Sequence, residues 1–336
     1  MVRRLPLLLA TTTAIAVLPS VASAANGLRP RTPAIYAGVP CVQTVTRGET
    51  LTIEYDVSYD DVELTPEELP DSRKHQFFAF SQTNVDFAFP TYINQSDFDR
   101  AEANGDNTVP YSDDDILDIS SLWPAGTHVR ITPDDPRLPI TKEQAAMGVD
   151  WDTSNVTPGT WLVAAYTWEP EKNLWSPRFG AVRIEEAGDP DSAGPTVFMP
   201  RIDGVLADRA EPLAIEGCIE APAGSTITAS WADVGTGQDP EWVPFVENQE
   251  VESGALDLEF MAPAETGTSI KIRIEIVDPS GRSYIAYSPT TIGVIGEAPP
   301  EPTESGCAQE QRRPHTGAVL LGFLLLLGAG RQRRRG

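Results

Sequence analysis

From about residue 40 to residue 295 the chain alternates apolar and polar side chains in short runs, broken by Gly, Pro, Asp and Ser. "TLTIEYDV", "STITASW" and "SIKIRIEIV" each repeat with a period of two, which places alternate side chains on opposite faces of a strand and buries one of them. Only "TKEQAAMG" reads as helix, one turn or two. Between Pro190 and Gly296 the pattern predicts strands near Thr196–Pro200, Leu213–Ile219, Thr226–Trp231, Glu241–Val246, Leu256–Phe260, Ser269–Val277 and Tyr284–Val294. About seven short strands with turns between them fit an immunoglobulin-like sandwich. "VDPSGRSY" supplies a hairpin turn through Pro279 and Gly281. Phe260, Ile272, Ile274 and Ile276 are expected to face the opposite sheet.

The same signals recur earlier in the chain. "CVQTVTRGETLTIEY" from Cys41 resembles "CIEAPAGSTITASW" from Cys218, with Gly48 and Gly224 at the turns. "PGTWLVAAYTWEP" pairs with "TGTSIKIRIEIVDP", and Trp175-Ser176-Pro177 pairs with Tyr287-Ser288-Pro289. Three matches in one order predict a tandem duplication. The expected fold is all-β: two tandem immunoglobulin-like β-sandwich domains, residues 33–186 and 190–296. Gly48 should superpose on Gly224 and Gly159 on Gly267. The first domain carries a long loop-rich insertion, about 59–150, a usual place for function because loops vary while a scaffold holds.

The two ends have a different composition. "MVRR", an apolar stretch and "ASA" at Ala22–Ala24 make residues 1–24 an export signal cleaved after Ala24. At the other end, residues 297–306 form a Pro/Glu-rich stalk. The apolar run Ala318–Gly330 has 13 residues. A helix of that length covers about 20 Å, short for a hydrocarbon core of about 30 Å. Arg331, Arg333, Arg334 and Arg335 follow it and orient it with the basic end inside.

Gly306-Cys307, the run Ala318–Gly330 and the Arg cluster together resemble the MYXO-CTERM sorting signals of myxobacterial surface proteins. The likeness covers about 30 residues and includes a longer spacer, "AQEQRRPHTG", than the family pattern. It implies an address only: residues 307–336 are a sorting and anchor signal, a processing protease removes the helix near Cys307, and the protein stays at the outer-membrane or cell surface, anchored near its C-terminus. Export machinery and that protease are the implied partners.

Net charge is −24 at pH 7. Nucleic-acid binding needs a basic patch and is excluded. Such acidity favours a soluble monomer. An oxidising compartment permits a Cys41–Cys218 disulfide, while equivalent positions in domains set end to end would lie too far apart for one. Both outcomes stay open.

Candidate chemistry is sparse. "YSDDDILD" offers Asp113, Asp114, Asp115 and Asp118 as calcium ligands, without the EF-hand spacing; a solvated acidic loop is the alternative. Asp189 and Asp191 between the domains are a second weak site for calcium. His75, His128 and His315 are isolated and suggest no zinc site. No G-x-S-x-G, H-E-x-x-H, dinucleotide or Walker motif occurs, so no enzyme is expected and a secreted hydrolase ranks last. Trp168 and Trp175 are the candidate ligand platform, set against burial in a core. The reading is therefore a non-catalytic structural or adhesive surface protein, or else one that binds an extracellular glycan or protein ligand.

Overall fold

The computed structural model describes residues 30–81, 89–105, 110–133, 137–169, 173–200, 206–234, 240–264 and 266–296. The first half contains β1 (Val42–Thr46), β2 (Thr50–Ile53), β3 (Lys74–Phe80), α1 (Gln95–Ala103), β4 (His128–Arg130), β5 (Leu138–Pro139), α2 (Lys142–Met147), β6 (Val149–Asp152), β7 (Gly159–Thr167) and β8 (Leu174–Glu185). One sheet runs β1-β8-β7-β3-β4, with β5 beside β3, and β2 pairs with β6 in the other. Leu51, Ile53 and Trp151 of the smaller sheet meet Phe77, Trp161 and Val182 of the larger one in a shared core.

The second half contains β9 (Thr196–Phe198), β10 (Leu206–Asp208), β11 (Leu213–Glu220), β12 (Ser225–Asp233), β13 (Val243–Val251), β14 (Gly254–Phe260), β15 (Ser269–Val277), β16 (Ser283–Tyr287) and β17 (Ile292–Ile295). Its sheets run β10-β17-β15-β12-β13, with β16 beside β15, and β14-β11-β9. Ile215, Leu256 and Phe260 pack against Ile227, Ile272 and Ile274 between them. Phe260, Ile272, Ile274 and Ile276 all lie in this core, as their alternation with polar neighbours requires.

The strand orders correspond position by position. In each half the first strand of the larger sheet runs parallel to the last, β1 on β8 and β10 on β17. The turn that follows that first strand is the same. Glu49 N–H donates to Thr46 O at 3.0 Å, and Glu211 N–H to Asp208 O at 3.2 Å. Arg47 N–H donates to Glu185 O at the end of β8, and Arg209 N–H to Ile295 O at the end of β17. Both guanidiniums then reach across to the loop that precedes the next long strand, Arg47 Nε to Ser154 O and Arg209 to Thr266 O.

This corrects the register of the repeat. Gly48 joins β1 to β2, whereas Gly224 joins β11 to β12, one strand later in the shared order. The equivalent of "RGETLTI" is "RAEPLAI" from Arg209, not "GSTITAS". Two further matches do fall at corresponding places: Gly159 opens β7 and Gly267 lies just before β15. Ser176 pairs beside Ala165 in β7, and Ser288 beside Ile272 in β15.

The predicted closing strand Tyr284–Val294 is two strands, β16 and β17. Pro289 has no N–H for the ladder. Ser288 Oγ accepts from Ile272 N–H at 3.1 Å in the gap.

The insertion is also divided differently. The range 59–150 contains β3, which pairs with β7, β4 and β5 and so lies inside the larger sheet. The added chain is therefore two pieces, one before and one after β3. The second piece holds α1, where only loop was expected. Asn94 caps it by accepting from Asp97 N–H, and Ala101 and Asp97 are buried. "TKEQAAMG" does fold as α2, capped by Thr141 and ended by Gly148 at φ +69°.

Candidate functional site

Trp168 is 0% exposed and Trp175 is half-buried. They do not make an exposed platform. Outward-facing Phe78, Phe80, Tyr166 and Trp168 are roofed by Tyr92, Ile93, Leu117 and Trp123 from the added chain. Trp175 stacks on Phe89 at 4.6 Å, and its indole N–H donates to Pro90 O at 3.0 Å. Arg100 and Arg137 lie over the Trp168 ring at 4.6 and 5.8 Å, a cation–π arrangement. A strand exposed on its outer face would have left Trp168 in solvent; the insertion covers that face.

The acidic loop also fails to converge. Asp113–Asp115 form a single 3₁₀ turn. Asp115 accepts from Ser112 N–H and Oγ, Asp114 from Ser121 N–H and Oγ, and Asp118 from Arg130 at 2.7 Å. The Ser121 hydrogen bonds hold the Asp114 carboxyl below its usual range. Asp189 accepts from Asp191 N–H within its own turn. Among the described residues, no group of three or more His, Cys, Asp or Glu is placed to hold a metal ion.

What the periodicity did not reveal is a buried ionic cluster under the first strap of chain. Arg31, Asp61, Glu68, Arg73, His75 and Glu169 are each at least nine-tenths buried. Arg73 pairs with Asp61 at 3.0 Å and with Glu68. Arg31 pairs with Glu169. Thr32 donates to Asp61 at 2.7 Å, and His75 Nε2 lies 2.9 Å from Thr32 O. Burial lowers the His75 pKa, against opposing effects from Thr32 and Asp61. Burial and neighbouring Arg73 bring Arg31 down to about 10. The cluster anchors residues 30–36 to β3 and to the end of β7. Ile35 and Asp56 then exchange backbone hydrogen bonds at 2.8 and 2.9 Å.

Next along the chain comes the seam between the halves. Cys41 and Cys218 are disulfide-bonded, with Cα atoms 6.2 Å apart and a sequence separation of 177. The one-strand shift in the repeat explains how they meet. Cys41 leads into β1 and Cys218 lies within β11, so the two are not equivalent positions. On each side of the bond the backbone also packs closely within its own half. A Cβ on Gly180 would collide with Pro40 O, and one on Gly217 with Phe198 O. Leu162, Ala181 and Phe198 form an apolar patch there with Cys41, Val42 and Phe179. Arg183 ties the connection between the halves by donating to Pro190 O and Gly194 O.

Above the seam is a groove of about 750 Å³ lined by the strap from Pro33 to Val39, by Leu174–Pro177 and Phe179 of β8, and by Pro289 and Thr290 of the second half. None of its lining residues is charged, in a chain whose residues are 22% charged. Its volume lies within the range of small-ligand sites, about 300–1,000 Å³. Trp175, one of the two predicted platform residues, forms part of this wall. The wall's other aromatics, Tyr36 and Phe179, carried no alternating pattern and were not singled out.

Ala24, Cys307, Arg331, Arg333, Arg334 and Arg335 lie outside the described residues, as do the expected export signal, the expected stalk and the apolar run. Among the described residues, no helix is long and apolar enough to cross a membrane.

No protein-family model matches the chain, and no curated protein matches it. Solved structures do. A structure concerned with Dscam isoform specificity is 12% identical, with 80% of this chain and 52% of that one covered and a TM-score of 0.20. Dscam1 isoform 4.44, N-terminal four Ig domains, is 10% identical over 79% and 53%, TM-score 0.22. A putative membrane anchored protein from Corynebacterium diphtheriae is 12% identical over 81% and 56%, TM-score 0.20. The chain spans about half the length of each of these. TM-scores at this level carry no argument, so the all-β fold rests on the strand pairing itself.

Proposed function

We propose that this is an exported, surface-anchored, non-catalytic structural or adhesive protein built on two immunoglobulin-like sandwiches. The observation that carries the reading is the disulfide-closed seam. A bond between Cys41 and Cys218 persists in an oxidising compartment, and together with the apolar patch of Leu162, Ala181 and Phe198 it joins the two halves into one stiff body. Such a body suits a post that holds a surface away from a cell.

In this reading residues 1–24 direct export and are removed after Ala24. The stalk at 297–306 lifts the body. Cys307 marks the processing and attachment point, and the run 318–330 with its Arg cluster is cut away by a dedicated protease. The test is to express the full chain in a host with that sorting machinery and to map peptides from surface-labelled material. The expected result is surface labelling with the C-terminal "LLLLGAGRQRRRG" missing. Cys307→Ala should release the protein or leave it uncut while the fold survives. An intact C-terminal peptide in surface material overturns the processing; exclusion from the surface overturns the address.

The uncharged groove favours a second reading, a surface protein that binds a neutral glycan or peptide through Tyr36, Trp175 and Phe179. Glycan and peptide arrays probed with the oxidised protein and with Phe179→Ala separate the two: a hit lost in the variant supports binding, and a blank array supports the structural role.

A further inference from the structure

The seam changes which residues lie between the two ends of the body. The strap enters at Arg31 and reaches Cys41 within ten residues, and the described chain leaves through β17. A covalent path between those ends therefore crosses from Cys41 to Cys218 and skips the loop of residues 42–217 between them. That loop holds all of β1 through β10, both helices and every member of the ionic cluster but Arg31.

The geometry points to the Cys41–Cys218 bond as a load-path shortcut: when the body is stretched between its N-terminal strap and its C-terminal strand, tension passes through the bond and residues 42–217, which hold every strand and helix of the first half, are taken out of the path. The reason is topological. The loop's two ends are held 6.2 Å apart at the bonded residues, so pulling on the strap and on β17 cannot lengthen it. Only the few residues before Cys41 and the part of the second half after Cys218 are free to extend.

The placement of the groove gives this a use. Its strap wall, Pro33 to Val39, ends two residues before Cys41. Tension applied to the strap by a bound partner would enter the second half directly, leaving the sheet behind the groove's other wall outside the covalent path. The inference needs only the bond, and it holds whatever the occupant and whether or not the chain is anchored.

Single-molecule stretching of the full chain tests it, with click-chemistry handles at Ala37 and Glu297 so that no thiol is used for attachment. An extended chain covers about 3.3–3.6 Å per residue. The oxidised protein should release about 280 Å at most, from the roughly 80 residues outside the loop. Adding a dithiol reductant should lengthen the final extension about threefold, a gain of about 600 Å. The Cys41→Ser/Cys218→Ser double variant, checked for fold by circular dichroism, should give the long extension without reductant. Equal lengths in oxidised and reduced protein overturn the proposal, as does a long extension from the oxidised wild type.

Discussion

The larger sheets of the two halves share a strand order but solve burial differently. In the first half the outward positions of β3 are Gln76, Phe78 and Phe80, all buried. In the second half the outward positions of β12 are Thr226, Thr228 and Ser230, of which the two threonines are partly exposed. The same contrast holds one strand over. Tyr166 and Trp168 at the end of β7 are fully buried, while Arg273 and Glu275 of β15 are half-buried. A strand with an apolar run needs cover on both faces, and an alternating strand needs it on one. The added chain supplies that second cover in the first half. It brings its own costs, since the strap is fixed by charges that had to be desolvated. The second half has a leaner design, one core and a wet outer face.

Four measurements would break or sharpen that contrast. The largest effect is expected from removing the disulfide. Closing a loop of 177 residues restricts the unfolded chain by about 5 kcal/mol in the chain-entropy account. Cys41→Ser/Cys218→Ser should lower the urea midpoint and split one transition into two, one for each half. A single unsplit transition would show that the seam's apolar contacts couple the halves without the bond.

Next is Arg73→Ala, which leaves Asp61 and Glu68 buried without their guanidinium. Breaking a buried ion pair from one side costs about 3–5 kcal/mol. The loss should fall on the first half's transition alone. A change below about 1 kcal/mol would mean that water reaches the cluster.

A matched pair of truncations follows. Leu117→Ala removes a fully buried side chain from the roof over Phe78 and Trp168 and should cost about 2–5 kcal/mol. Thr226→Ala, on the corresponding uncovered face, should stay within about 0.5 kcal/mol. Equal costs would end the comparison between a covered and an uncovered sheet.

The smallest effects are those of acid, and they separate the halves by pH. Burial lowers the His75 pKa below its ordinary 6.5. The unfolded chain therefore takes up that proton first, and the first half should lose stability as pH falls from about 6.5. His75→Gln should flatten that slope. In the second half burial raises the Asp278 pKa, but hydrogen bonds from Ser280 and Arg282 more than offset this and set it to about 2. Its contribution is present above about 4 and lost as pH falls from there toward 2. Thermal melts of the split-transition variant at pH 7, 5 and 3 would show the order; a second half that weakens before the first contradicts it.

Much of the second half was legible in the sequence because each strand carries its own alternation. Ser269–Val277 was bounded to the residue, and its inward isoleucines followed from period two. The first half was less legible. "KHQFFAF" reveals a strand in need of cover but not what covers it, and that information sits in Tyr92, Leu117 and Trp123, far along the chain. The ionic cluster was invisible for the same reason, since Arg31, Asp61 and Glu169 come from three separated segments. The repeat was misregistered because Thr-rich strands resemble one another and Gly marked the turns. Gly48 has φ +94°, yet Ala210, at the matching place, takes no positive φ. The marker that does transfer is the Arg–x–Glu spacing of Arg47/Glu49 and Arg209/Glu211, whose backbone bonds are the same.

The long sequence separation of the bonded cysteines also bears on timing. Cys41 lies near the start of the described body and Cys218 some 177 residues later. As the chain emerges from its N-terminus, the first thiol waits while the whole first half and the opening of the second follow. A random coil of that length rarely brings its ends together. The two sulfurs meet once both halves have folded and the apolar patch between them has closed. Oxidation is then a late step that records completed folding, and the proportion of bridged molecules becomes a direct count of chains that finished maturing.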